Sequence, residues 1–406
     1  MTDRAIKEQQ KAINYHRQYH RMFFRATDMD FVFQWVIGSA PHGGAGIGES
    51  FHAASMMRDG DPESWAREWA ALAERVRARA ESMRAAGHAV SAREALLRAA
   101  IYYRAVLTIR MPDHPDFRPT AAAMRECFRA GTALLDPPLE RFDVPFEGKT
   151  LPGYFRTAAG SGPRPTLLMI GGAETFAEDL YFYIAPAAFE RGWNFATVDL
   201  PGQGDTRFQG LAFRADTEVP MRAAVDALLA RPDVDPSRLA AYGISFGGYF
   251  APRAAMVERR IRACVANSMI FDADELWNTS NLRRFHGLVK WIATRRAPFQ
   301  IRMGQLMAWR WGLEPDQLAG LPDHARGFVF DPARIECPTM ILIGEGENAN
   351  PIVHSQQVRA LAALPDPRKK MIVAPLDEGA GGHCLGENVS LMSALVFDWL
   401  EEIFAR

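Results

Sequence analysis

The chain has 406 residues, enough for two or three ordinary domains and a large buried core. Its formal net charge of −1, with 47 basic and 48 acidic residues interspersed, gives no electrostatic case for nucleic acid or an anionic membrane and points to a small-molecule partner. Four cysteines, Cys127, Cys264, Cys337 and Cys384, lie far apart with no C-x-x-C pair, which argues against a zinc site and a disulfide framework.

The amino terminus, Met1 to Gln10, lacks the apolar stretch of a signal peptide, and no later stretch reads as an uninterrupted membrane span. A soluble cytoplasmic protein with reduced thiols is the expectation, without metal or cofactor, and the sequence leaves room for a homodimer. Residues 1–135 read as a helical amino-terminal domain. His16 and His20, four apart on a helix, have no third ligand nearby and read as a helix face. Pro41-His-Gly-Gly-Ala-Gly-Ile-Gly48 is rich in glycine but lacks the Lys-Ser/Thr of a phosphate loop, and reads as an interhelix connection. Asp61-Pro-Glu-Ser-Trp65 starts a helix whose Trp65, Trp69, Leu72 and Val76 form one apolar stripe. Ser91-Ala-Arg-Glu94 has the form of a capping box opening the next helix.

From Pro138 the periodicity changes. Residues 139–146 and 150–157 alternate around Gly148-Lys149, which predicts a hairpin. Short apolar runs then alternate with helical patterns. The strands are expected at 166–170, 194–198, 239–242, 261–265, 339–343 and 370–373. That rhythm predicts an α/β fold in residues 136–406, with a mostly parallel sheet covered on both faces and an antiparallel start. Residues 269–332 interrupt it with a helical, aromatic-rich insertion carrying Trp277, Phe285, Trp291, Phe299, Trp309, Trp311, Phe328 and Phe330. Placed between core strands, it reads as a cap above the carboxyl ends of the sheet, although any one of these rings is better explained by packing.

Leu239 to Tyr242 is a buried strand, Phe246 to Val257 is a helix, and Gly243-Ile-Ser-Phe-Gly247 joins them. This is the G-x-S-x-G turn, in which small flanking residues let a strand become a helix at once and leave the serine hydroxyl projecting. A hydroxyl needs an adjacent base, and that base needs an acid to orient it; in this arrangement the order is serine, acid, histidine. His383 follows the last strand and is the base. Glu347, after the preceding strand in Gly344-Glu-Gly-Glu-Asn-Ala-Asn-Pro351, is the acid by its spacing from the glycine and the proline, with Glu345 and Asp272 as alternatives. An oxyanion would be held by the backbone N–H of Phe246 and of Gly172, with Ala173 as an alternative to Gly172. Asp199-Leu-Pro-Gly-Gln-Gly204 reads as a structural turn close by, and Cys384 as packing.

Ser245, Glu347 and His383, in that order and on an eight-strand reading, resemble the α/β-hydrolase superfamily. The helical amino-terminal domain, the Ala240 to Ala254 elbow and the Gly381-Gly-His-Cys384 loop look like the group containing 2,6-dihydroxypseudooxynicotine hydrolase and the chain-shortening hydrolases of melanin-type polyketide pathways. In that group the acid is usually aspartate, so Glu347 departs from the pattern. The resemblance implies that residues 1–135 act as a lid. It also implies hydrolysis, through an acyl-enzyme, of a C–C bond beside a ketone in a 1,3-dicarbonyl or acylphenol substrate of aromatic or polyketide-like character. The same residues would serve an ester, thioester or peptide hydrolase or an acyltransferase. A non-catalytic binding or regulatory protein on this fold is the reading from a different class.

Overall fold

The computed structural model describes residues 21–278 and 287–405; the His16–His20 pair and Phe285 lie outside them. The described chain forms two compact units, one of residues 141–278 and 308–405, the other of residues 21–140 and 287–307. The 269–332 insertion therefore divides, its middle grouping with the helical unit and its end with the sheet.

The larger unit is built on an eight-stranded sheet in the order β1-β4-β6-β5-β7-β8-β9-β10. Its strands are β1 (Glu140–Arg141), β4 (Gly153–Arg156), β5 (Arg164–Ile170), β6 (Asn194–Val198), β7 (Val234–Ile244), β8 (Ala263–Asn267), β9 (Thr339–Gly344) and β10 (Lys370–Ala374). β4 runs antiparallel to β6, and the ladders from β6 through β10 are parallel. Parallel strands need helical crossovers, which cover both faces, so the central strands must be apolar on both sides. Leu239 to Tyr242 of β7 and all of β8 and β9 are buried accordingly.

The hairpin differs from its expected register. β2 (Val144–Phe146) pairs with β3 (Lys149–Leu151) through Phe146↔Lys149, so the turn is Glu147-Gly148 and Lys149 is already in the strand. Both turn residues are left-handed, at φ 47° and 71°, the geometry that matches the twist of a two-residue hairpin. The hairpin stands apart as its own two-stranded sheet.

In the helical unit, the side chain of Asp61 accepts the backbone N–H groups of Glu63 and Ser64 and opens the helix Pro62–Ala85. Trp65, Trp69, Leu72 and Val76 on that helix are all buried. The following helix, Ala89–Leu107, begins two residues before the Ser91 capping box, with His88 as its first flanking residue. Left-handed Gly87, at φ 80°, ends the first helix and reverses the chain so tightly that the second starts at once. Tyr102 from the second helix stacks on Trp69 at 5.4 Å, and Trp65 meets Trp69 edge-on at 5.5 Å. Phe299, from the middle of the insertion, lies 5.3 Å from Trp65, which explains why that segment groups with this unit. Since Trp69 is completely buried, Trp69→Ala is expected to destabilise this unit by about 3–5 kcal/mol, seen as an earlier urea transition in far-ultraviolet circular dichroism.

Candidate active site

The site forms where β7 ends. Ser245 follows Ile244 directly and precedes the helix Gly247–Ala255, with its backbone in the left-handed region at φ 55°. That conformation is costly for a residue with a side chain and is held here by neighbours. A Cβ on Gly243 would lie 1.9 Å from the carbonyl oxygen of Gly247, so the turn can close only over glycine. The Ser245 N–H donates to the Asn267 carbonyl at the end of β8, at 2.7 Å, which ties the elbow to the neighbouring strand.

His383 lies in the loop after β10, and Glu347 in a helical turn, Glu345–Asn348, after β9. The two loops are flush: a Cβ on Gly346 would lie 2.1 Å from the Gly381 carbonyl oxygen. The structure brings the three side chains together. His383 Nε2 is 2.9 Å from Ser245 Oγ, and His383 Nδ1 is 2.8 Å from Glu347 Oε1. The carboxylate accepts at Nδ1, so that nitrogen carries the proton and Nε2 is left to accept from the serine hydroxyl. Glu347 is 3% exposed, and it also accepts from the Cys384 N–H at 3.2 Å and the Ser268 hydroxyl at 3.3 Å. Glu345 and Asp272 are occupied elsewhere. Glu345 accepts the Leu376 N–H at 2.9 Å, and Asp272 caps the helix Ala273–Asn278 by accepting the Glu275 N–H at 3.0 Å.

Burial of the imidazole works against its protonation, but the Cys384 sulfur and the Glu347 carboxylate around it favour the charged form more strongly, and His383 lies well above its ordinary range. Burial in turn pushes the Cys384 thiol up.

Cys384 is more than packing. Its thiol donates to the Asn267 carbonyl at 3.1 Å and accepts from the Ser245 N–H at 3.1 Å, while its own carbonyl accepts from the Asn267 side chain at 3.0 Å. No local pattern announces these bonds, because their partners are 117 and 139 residues away. Glu347, His383 and Cys384 bring potential metal-ligating atoms within 4.8 Å of one another, but these atoms are turned on each other, on Ser245 and on Asn267.

Gly172, from the loop after β5, meets the serine closely: a Cβ there would lie 2.5 Å from Ser245 Cβ and 2.8 Å from Oγ. Phe246 follows the serine, and its ring stacks on Tyr249 at 5.7 Å and lies 5.3 Å from Trp311. Trp311 and Phe328, from the end of the insertion, are 4.6 Å apart and both pack on Phe246, so these aromatics buttress the elbow helix.

An eight-stranded sheet in this order, with the serine on the turn after its fifth member and the acid and histidine after its last two, defines an α/β-hydrolase. The family described as Esterase FrsA-like matches residues 53–286, more than half of the chain, and the chain belongs to it. Full-length relatives agree. The 20-hydroxy-prefusarin hydrolase FUS2 of Gibberella moniliformis is 32% identical over 95% of this chain and 98% of its own. The hydrolase LUC6 of a Fusarium species is 30% identical over 94% and 97%. Among solved structures, 2,6-dihydroxy-pseudo-oxynicotine hydrolase superposes with a TM-score of 0.72 at 25% identity, covering 91% of this chain and 96% of that one. The chain is a hydrolase. Among the described residues, no helix is long and apolar enough to cross a membrane.

The charge balance around the imidazole predicts that His383, followed by NMR, titrates with a midpoint above the ordinary histidine value of about 6.5. Glu347→Gln removes the stabilising carboxylate and should move the midpoint to lower pH.

Proposed function

We propose that this hydrolase cleaves a C–C bond beside a ketone, in a 1,3-dicarbonyl or acylphenol substrate, with Ser245 as nucleophile, His383 as general base and acid, and Glu347 as the orienting acid. The single observation that carries the assignment of roles is the imidazole of His383, in contact with Ser245 Oγ at one nitrogen and Glu347 at the other. The carbon leaving group is what the resemblance to the group containing 2,6-dihydroxypseudooxynicotine hydrolase implies, and the full-length likeness to that enzyme and to 20-hydroxy-prefusarin hydrolase supports placing the chain with it.

His383 Nε2 takes the hydroxyl proton as Ser245 Oγ attacks the substrate carbonyl. The resulting oxyanion sits against the N–H groups of Phe246 and of the Gly172 loop, which need no reorganisation to receive it. Collapse breaks the C–C bond; its electron pair leaves as an enolate, delocalised by the neighbouring ketone or, in an acylphenol that reacts as its ring-keto tautomer, by the ring carbonyl, and the imidazolium returns the proton to the carbon or oxygen of that enolate. Water, deprotonated by the same nitrogen, attacks the acyl-enzyme and releases a carboxylic acid and free Ser245. One water is consumed, and the products are an acid and a ketone or phenol. During turnover the imidazolium forms between these steps, which is where the Glu347 carboxylate counts most.

Ester cleavage is the second reading, favoured by the description of the family as an esterase. The two readings share every residue and differ in the leaving group. Offered a β-diketone and an ester of matched acyl group, the enzyme is expected to turn over the diketone with the higher kcat/KM; rapid ester hydrolysis with an untouched diketone would replace the first reading by the second. Ser245→Ala should lower kcat by more than about 10⁴-fold with the fold retained. Glu347→Gln should lower it by about 10²–10⁴-fold; wild-type turnover in that variant would remove Glu347 from the mechanism.

A further inference from the structure

We infer that Gln203, in the turn after β6, is a positioning residue for the oxyanion site: it holds the two carbonyls of the Gly171-Gly172 loop and thereby aims the N–H groups of Gly172 and Ala173. The inference rests on the proposed role of that loop and adds to it a residue outside the triad.

Gln203 is 1% exposed. Its side-chain Nε2 donates to the Gly171 carbonyl at 2.6 Å and to the Gly172 carbonyl at 2.9 Å, which uses both of its hydrogens. Its Oε1 accepts the Leu200 N–H at 2.8 Å, so the amide is fixed by its own turn and cannot swing away. Thr175 Oγ1 adds a second donor to the Gly172 carbonyl at 3.1 Å, and the Gly204 N–H holds the Thr175 carbonyl at 3.1 Å. The amide, the threonine and the turn form one braced unit.

The consequence follows from the planarity of the peptide group. In a trans peptide the C=O of one residue and the N–H of the next point in opposite directions in the same plane. Fixing the Gly171 carbonyl therefore fixes the Gly172 N–H, and fixing the Gly172 carbonyl fixes the Ala173 N–H. With both carbonyls drawn towards Gln203, both N–H groups are turned away from it. The loop itself runs against the nucleophile, since a Cβ on Gly172 would lie 2.8 Å from Ser245 Oγ. A glycine-rich backbone could otherwise rotate these planes at little cost, and donors that must reorient during the reaction stabilise an oxyanion poorly.

A residue that acts only on transition-state donors leaves a particular kinetic signature. With p-nitrophenyl acetate as the probe, Gln203→Met, which keeps the volume and loses both donors, is expected to lower kcat by about 10- to 100-fold. KM should stay within about threefold of wild type, and the pH midpoint of kcat should not move, because the Ser245–His383–Glu347 contacts are untouched. Thr175→Val, a near-isosteric change that removes the second clamp, should cause a smaller fall of the same kind. A kcat within twofold of wild type in Gln203→Met, a loss carried by KM, or a shifted pH midpoint would overturn the inference. If Gln203→Met does not fold, a Thr175→Val kcat equal to wild type counts against it in the same way. A crystal structure of the Gln203→Met variant separates this idea from the reading it rests on. Rotated peptide planes at residues 171–173 support the clamp even if Ser245→Ala is found to retain full turnover, which would sink the nucleophile alone. Unmoved planes sink the clamp whatever the serine does.

Discussion

The arrangement depends on one residue held in a conformation it does not favour. Ser245 occupies the left-handed region at φ 55°, and only there can a strand end and a helix begin with the hydroxyl projecting from the sheet. Such a conformation costs on the order of 1–3 kcal/mol and persists only where the surroundings over-determine it. Those surroundings are visible: Gly243 and Gly247 in van der Waals contact across the turn, the Asn267 carbonyl on the Ser245 N–H, and the Cys384 thiol beside it. The strain is local, and the sheet as a whole resists it.

Fixing the serine would achieve little without the electrostatics delivered to it from two other strand ends. Glu347 is buried and acts as an acceptor for His383, the Cys384 N–H and Ser268, so the carboxylate is braced against the very loop that carries the histidine. A glutamate can fill this place because residue 347 sits in a short helical turn packed directly on the Gly381 carbonyl, and its longer side chain reaches the imidazole from there. The Cys384 thiol fits between the elbow and the end of β8 and bonds to both. Specificity is a separate matter: in the proposed mechanism the same three side chains would serve an ester or a carbon leaving group, and the difference would lie in how the leaving group is delocalised.

How far these features could be read in the chain follows from the range over which each is determined. The succession of strands and helices along the chain, the elbow and the histidine loop were legible because each is set by adjacent residues: an apolar run, two glycines spaced by three, and a glycine-rich segment after the last strand. The errors were also local, but arose where two neighbouring signals competed. The Ser91 capping box lost to the left-handed Gly87, which restarts the helix at Ala89. The hairpin turn moved from Gly148-Lys149 to Glu147-Gly148 because the pairing of Phe146 with Lys149 requires two left-handed residues between them. The 269–332 insertion is continuous in sequence, and within it Phe299 packs with Trp65 and Trp311 with Phe246.

By itself, the sequence determined the α/β architecture, the turn on which Ser245 stands and the loops after the last two strands that carry Glu347 and His383, since periodicity and turn chemistry act over a few residues. Tertiary structure alone decided that Glu347 rather than Glu345 or Asp272 meets the imidazole, that Cys384 bonds the elbow, and that Gln203 grips two glycine carbonyls. These are hydrogen bonds between residues 31 to 139 positions apart, whose partners are selected by which strand ends and loops the sheet brings side by side.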